Sequence, residues 1–511
     1  MEASMWMPDD RLCGVVRSIA VGSGLVASLA GATQIPAAMQ EDALCTEVVE
    51  SADGARHDKA ALIYGLLLDD QQHSVASELA HKLALRDLRT AVPDGRLPGG
   101  PGGTRRPVAV VMCAKGLPED DSATRRAADH LIKRVGVSAI VTLTTRQALV
   151  TQRAIAASGA SVLHVCESCA TELRRALEGI GDPSLVFQTS PPRASFAPMI
   201  LKKLPEFEAH VRERPGFDGS AQIRVALLRP HDDDGWWSFG RAIDDTLVIN
   251  GSAAALQRGT NYLAVEYRTA RTGGGSDRHE TVAAAVAAFR PHIVMSIAGE
   301  REIVALLDTI ERRLEPDGPR PIHWGWTPHG GLIAFIGTSD DRRRRVYSYA
   351  PGMPPTPEQR ERLKAAATDF AREFPGAPLT LVWNHYGAPH QIMYAAAAAG
   401  ADRSSRLTGA DLARGIGATQ NAGGRHVYVG RRDLAAGLAD AAMGRPIALQ
   451  NLQRGSPLNW SQHSSGIPIL DNGQIYCFTR SPGTGALVET SAGQVWERRT
   501  NSLTGTFVPC Q

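Results

Sequence analysis

The sequence predicts an α/β fold built on two parallel sheets, and three observations carry that prediction. Short apolar runs alternate with amphipathic runs between residues 60 and 314. Read as strands, the apolar runs fall at 60–68, 108–112, 139–143, 161–165, 223–228, 262–267 and 293–297. Strands alternating with helical segments imply parallel sheets covered by helices on both faces. At 511 residues the chain is too long for one core and implies two or three domains. The strand series also restarts near Ile223, which begins a second sheet. Sheets of this kind bind ligands beyond the carboxyl ends of their strands.

The elements follow in order. Residues 33–57 lack periodicity and read as a tether. After the first strand, Ser74 stands as the N-cap of a helix with Val75, Leu79 and Leu83 on one face. Pro98, Pro101 and the glycines around them make 93–107 a surface loop. A helix over 124–135 turns Ala128, Leu131 and Val135 inward. Thr144 and Thr145 come just after the third strand, where a helix begins. Hydroxyls and free backbone N–H groups there suit a carboxylate, although an N-cap uses the same residues. In the second series the strand at 223–228 runs into Arg229-Pro-His-Asp-Asp-Asp-Gly-Trp-Trp237. The paired tryptophans either wall a ligand cleft or pack their own helix. Residues 300–314 form a helix with Ile303, Leu306, Leu307, Ile310 and Leu314 in the core. His323-Trp-Gly-Trp-Thr-Pro-His329 again sets aromatic and polar groups at a strand end. Thr408-Gly-Ala-Asp411 has the spacing of a capping box. The last fifty residues read as a small antiparallel tail, closed by a Cys477–Cys510 bridge.

Composition narrows the functions. Hydrophobic residues at 43% and charged residues at 21% fit an ordinary globular chain. A formal net charge of +2 gives no reason to expect a nucleic-acid partner. Arg342-Arg-Arg-Arg345, the one dense basic run, has no aromatic platform and reads as a solvated turn. Arg11 and Arg17 precede a weakly apolar run over 19–29, and Ala30-Gly-Ala32 is a small-x-small cleavage pattern. A signal peptide over 1–32 and a periplasmic or extracellular location follow. Asp9-Asp10 is unusual in such a segment and leaves Met7 as an alternative start. The run is too short to span a bilayer, and no cysteine follows a convincing lipobox. Cleavage removes Cys13 and leaves Cys45, Cys113, Cys166, Cys169, Cys477 and Cys510, with fifteen possible pairings. Cys166-Glu-Ser-Cys169 also has the spacing of a redox or zinc pair, but export favours disulfides.

The order of motifs resembles the type I periplasmic binding proteins, specifically the branched-chain amino acid substrate-binding branch of ABC importers. Ile63-Tyr-Gly-Leu-Leu-Leu68 stands where that family has its opening strand. Ala127-Ala-Asp-His-Leu-Ile132 with Val137-Ser-Ala-Ile-Val141, and Phe187-Gln-Thr-Ser190 at the first crossover, continue the match. Tyr349-Ala-Pro-Gly352, Leu381-Val-Trp-Asn-His-Tyr386, Leu407-Thr-Gly-Ala-Asp-Leu412 and Gly455-Ser-Pro-Leu-Asn-Trp460 extend it, so that it covers about 58–480. The resemblance implies two Rossmann-like lobes joined by a three-segment hinge. Lobe 1 takes 58–191 and 375–455, lobe 2 takes 192–374 and 456–480, and 481–511 form a disulfide-stapled extension. It implies that Thr144 and Thr145 hold a ligand carboxylate and that Cys166, Glu167 and Ser168 hold its head group. By the same resemblance Trp236 falls near the second-lobe aromatic, Glu300 near another cleft position and Thr327 near the segment that contacts an amino group. Cys45 with Cys113 is the preferred second bridge, which leaves Cys166 with Cys169 as a local loop.

Some residues depart from the family. The first ligand loop, ordinarily Pro-x-Thr/Ser-Gly, reads Leu68-Asp-Asp-Gln-Gln72. Glu167 would set a carboxylate against a ligand carboxylate, which costs several kcal/mol by order of magnitude in a desolvated cleft. An aliphatic amino acid is therefore disfavoured against a cationic, amide-like or different ligand, or against lobes that no longer bind. The resemblance implies a monomeric solute-binding protein that serves an ABC permease, or alternatively a sensory or partner-binding version with a membrane receptor. No cofactor or metal is implied. An enzyme is disfavoured: His329-Gly-Gly331 lacks a Gly-x-Ser-x-Gly elbow, and His279-Glu280 lacks the second histidine of a zinc helix. The fifteen histidines show no pair at metal-binding spacing.

Overall fold

The apolar runs become the buried strands of two sheets. The computed structural model describes residues 44–509 apart from 46, 70–71, 101–102, 116–119, 170–172, 191, 215–216, 233, 270–275, 299, 315–319, 327–329, 338, 352–355, 378, 380–381, 400–404, 421–422, 453–460, 463–471, 482–484, 486 and 499. Contacts divide the chain into one unit that runs up to 191 and includes 354–469, and another of 192–353 with 470–511. The expected signal peptide, Cys13 and Gly455–Trp460 lie outside the described residues.

In the first unit Leu62–Leu67, Arg106–Cys113, Ala139–Thr142, Leu163–Cys166 and Val186–Gln188 run parallel. Their order across the sheet is second, first, third, fourth, fifth. Nearly continuous apolar sequence is what strands buried on both faces require. Alternation sends Leu62, Tyr64 and Leu66 to a core shared with helices Gln72–Ala91 and Val382–Ala399. Ile63 and Leu67 face the other way, against helices Asp121–His130 and Thr145–Ser158. Helix Val382–Ala399, into which Leu381-Val-Trp-Asn-His-Tyr386 leads, is apolar almost all round and correspondingly buried. Helix Gly409–Thr419 lies against it at Gly415, where a Cβ would stand 2.0 Å from the Ala395 carbonyl oxygen. The capping box expected at its start is present, with Thr408 and Asp411 bonding reciprocally.

Three expectations for this unit change. Residues 47–57 are not a tether. Strand Glu47–Glu50 pairs antiparallel with Arg106–Cys113, and a Cys45–Cys113 disulfide fastens it. The helix expected to start at Ser74 starts at Gln72, so Ser74 lies within it and bonds back to Asp69. Leu83 is buried and Leu79 partly buried as expected, but Val75 is 46% exposed, and Ala76, Ala80 and Ala84 join the buried face. Helix Pro357–Glu373, expected in the second lobe, buries Leu363 and Phe370 in the core of the first unit.

The second unit repeats the pattern. Val225–Pro230, Tyr262–Tyr267, Ile293–Ser296, Ile322–Trp326 and Val346–Pro351 are parallel, again ordered second, first, third, fourth, fifth. The final segment is not a separate extension. Gly473–Arg480, Leu487–Glu497 and Ser502–Gly505 continue the same sheet antiparallel, with Trp496 in its core. Cys477 is disulfide-bonded, and its expected partner Cys510 lies outside the described residues. The arginine run is not a solvated turn either. It forms helix Asp340–Arg345 with Arg343 and Arg345 buried, because Glu311 receives two bonds from Arg345 at 2.9 and 3.1 Å. His323 adds a third at 2.7 Å. Among the described residues no helix is long and apolar enough to cross a membrane.

Candidate functional site

A strand order of second, first, third creates a switch point between the first and third strands. Connections leave that point in opposite directions and open a crevice beyond the carboxyl ends. Both sheets have such a point, and the residues singled out from sequence lie at or beside it. In the first unit Thr144 and Thr145 follow the third strand, and Cys166 to Ser168 end and follow the fourth. In the second unit Trp236 follows the first strand, and Glu300 opens the helix after the third. Thr327 and the side chain of Glu300 lie outside the described residues.

Local chemistry explains these placements. Thr144 is the N-cap of helix Thr145–Ser158, its hydroxyl accepting from the Gln147 N–H at 3.1 Å. Both threonines are half-buried. Cys166 and Cys169 are joined in a disulfide and are fully buried. The Cys166 carbonyl accepts from the Thr189 N–H, and the Glu167 carbonyl from the hydroxyls of Thr189 and Ser190. Ser168 alone of the three is half-buried. Trp236 packs into its own unit's core with Phe239, the Arg193 guanidinium lying 3.8 Å from the ring centroid.

The Glu167 carboxylate is enclosed by protein groups. Its side chain is 0% exposed and is turned into the lobe. Ser77 donates to Oε2 at 2.7 Å, His385 Nδ1 lies 2.7 Å from the same oxygen, and His81 Nε2 lies 2.9 Å from Oε1. Burial alone would raise its pKa, but the two imidazoles outweigh that and hold it at about 2. The bonds continue outward on both sides. Tyr64 Oη lies 2.9 Å from His81 Nδ1, and His73 Nδ1 lies 3.2 Å from His385 Nε2. Sequence reading missed this chain. The available signal was His73, Ser77 and His81 at i, i+4 and i+8, one helical face by spacing. Among the described residues no group of three or more His, Cys, Asp or Glu is placed to hold a metal.

The architecture is that of the type I periplasmic binding proteins. No family model matches the sequence, and no curated protein matches it either. Solved structures do. An ABC-transporter substrate-binding protein from Aeropyrum pernix is 12% identical with a TM-score of 0.53, over 88% of this chain and 96% of that one. A solute-binding protein from Rhodopseudomonas palustris BisB5, in complex with 3,4-dihydroxybenzoic acid, is 13% identical with a TM-score of 0.53, over 86% and 98%. The leucine-binding protein LivK from Thermotoga maritima is 11% identical with a TM-score of 0.51, over 84% and 98%. At these identities the likeness is one of fold.

Proposed function

We propose that this protein captures a small polar solute, an amino acid or related compound, and delivers it to an ABC importer after export. One observation carries the reading: each sheet has a switch point, and Thr144, Thr145, Ser168 and Trp236 all fall at or beside those points. In this proposal Thr144 and Thr145 receive the acidic end of the solute, where their helix begins. Cys166, Glu167 and Ser168 shape the adjoining loop, with Ser168 as the member that touches the solute. Glu300 and Thr327 complete the proposed set. The named solutes of the structural neighbours, leucine and hydroxylated benzoate, support a carboxylate-bearing solute.

A second reading is a sensory or partner-binding protein of the same fold. It is favoured by the internal use of the Cys166 and Glu167 carbonyls and of the Glu167 carboxylate. Thermal unfolding of the oxidised chain against amino acids, amides, polyamines and small aromatic acids separates the two. A solute at 100 times its Kd stabilises by about 2.7 kcal/mol, a visible shift in Tm. A shift with one chemical class that disappears in Thr144→Ala/Thr145→Ala supports solute capture. No shift with any class supports the second reading.

A further inference from the structure

We propose that the amino edge of the second sheet carries a separate ligand site, built by Arg320, Arg342 and Ser339, for a small molecule bearing a phosphate-type dianion. Solute capture, which concerns the opposite, carboxyl edge, plays no part in it.

The site lies where strands begin. Arg320 stands just before Ile322–Trp326 and Arg345 just before Val346–Pro351, while Glu311 is in the last turn of helix Glu300–Arg313. A cavity of about 440 Å³ opens there, lined by Glu311, Arg320, Ser339, Asp341 and Arg342. Its donors are held in place but not used up. Arg320, 24% exposed, is fixed through Nη1, which donates to the Glu311 carbonyl at 2.9 Å. Its Nε and Nη2 meet no acceptor among the described residues. Ser339 Oγ accepts from the Arg342 N–H at 3.3 Å, and its own hydrogen likewise has no acceptor among the described residues. Arg214 donates to the Arg320 carbonyl at 2.8 Å and forms no ion pair among the described residues.

Two carboxylates also line the cavity, and both are bound from the protein side. Arg345 donates to both oxygens of Glu311 at 2.9 and 3.1 Å, and twice to Asp341 at 2.9 and 2.7 Å. Asp308, at the rim, is shared by Arg312 and Arg342 at 3.4 and 3.6 Å. Arg214, Arg312, Arg320, Arg342 and Arg345 therefore outnumber Asp308, Glu311 and Asp341 by two charges. The excess is felt within the group: burial lowers the pKa of Arg214, and the neighbouring Arg345 lowers it further. A dianion balances this excess, and the guanidinium fork matches the spacing of phosphate oxygens. A single carboxylate leaves half of the excess in place, and an ammonium group is repelled. Ligand sites commonly run from about 300 to 1,000 Å³, so the cavity has room for a small organic group beyond the phosphate.

The probe is inorganic phosphate, titrated by calorimetry into the oxidised full chain at neutral pH and low salt. Expected is one saturable site that Arg320→Gln weakens about tenfold or more and Ser339→Ala severalfold, with affinity falling as sodium chloride is raised. The wild-type chain supplies a second readout that does not depend on a variant binding or folding. Arginine side-chain N–H resonances, with Arg320 assigned through Arg320→Lys, are expected to shift at Arg320 Nε as phosphate saturates. No heat and no shift at millimolar phosphate overturns the site, and so does equal affinity in Arg320→Gln. Phosphate binding lost in Thr144→Ala/Thr145→Ala but kept in Arg320→Gln would put the anion at the carboxyl edge, overturning this site and supporting solute capture. Failure of every solute in the thermal panel, with phosphate binding as stated, counts against solute capture and leaves this site standing.

Discussion

Replacing Glu167 by glutamine tests whether a buried charge holds the helices of the first unit together. The Glu167 pKa is held at about 2, against 4.5 for an ordinary glutamate. Each tenfold change in proton affinity is worth about 1.4 kcal/mol, so the ionised carboxylate contributes about 3 kcal/mol. The sign follows from the depressed value. The contribution is complete above pH 4.5 and is lost as pH falls through 2. Glutamine keeps the shape but sets an NH2 against a ring N–H or the Ser77 hydroxyl. Amide hydrogen exchange in helices Gln72–Ala91 and Val382–Ala399 reads the effect locally, which suits a chain of two units. At pH 7 the opening free energy is expected to fall by about 3 kcal/mol, and the gap from wild type to close between pH 4.5 and 2. A variant within about 0.5 kcal/mol of wild type at pH 7 would refute the reasoning. So would a deficit equally large at pH 3, since packing rather than charge would then be responsible.

Other perturbations have equally definite outcomes. Gly415→Ala drives a Cβ into the Ala395 carbonyl oxygen and is expected to cost about 1–3 kcal/mol in urea unfolding, whereas Gly417→Ala, which meets nothing within 4 Å, is neutral or stabilising. Cys45→Ala/Cys113→Ala releases a closure across 68 residues, worth about 4 kcal/mol in the chain-entropy treatment and measurable as a lower urea midpoint. Glu311→Ala strands the buried Arg345 and is expected to cost about 3–5 kcal/mol, part of which Arg345→Met restores in the double variant. Burial pushes Asp87 up to about 7, so its contribution is complete below pH 3.8 and is lost as pH rises through 7; Asp87→Asn should flatten that loss in a series of melting curves.

The fold was legible because strands buried on both faces leave a mark in sequence. Run 108–112 is apolar at every position and 139–143 at all but Thr142, and their spacing leaves room for only a helix between them. Caps were legible for the same local reason, as at Thr408 and Asp411. Errors arose where burial depends on distant partners. Arg343 and Arg345 read as solvated because Glu311, which pairs with Arg345, lies 34 residues away. Residues 47–57 read as a tether because a two-sided antiparallel edge strand such as Glu-Val-Val-Glu has too few positions to show a period.

The candidate site divides along the same line. Thr144 was readable because a hydroxyl between a strand and a helix has a local job, and the N-cap bond to Gln147 is that job. Glu167 was misjudged because its neighbours in sequence, two cysteines and a serine, say nothing of the groups that neutralise it. Those groups come from 90, 86 and 218 residues away, and His73 is 312 residues from His385. A carboxylate beside a ligand loop suggests repulsion of acids, yet this one is turned inward and enclosed by two imidazoles and a hydroxyl.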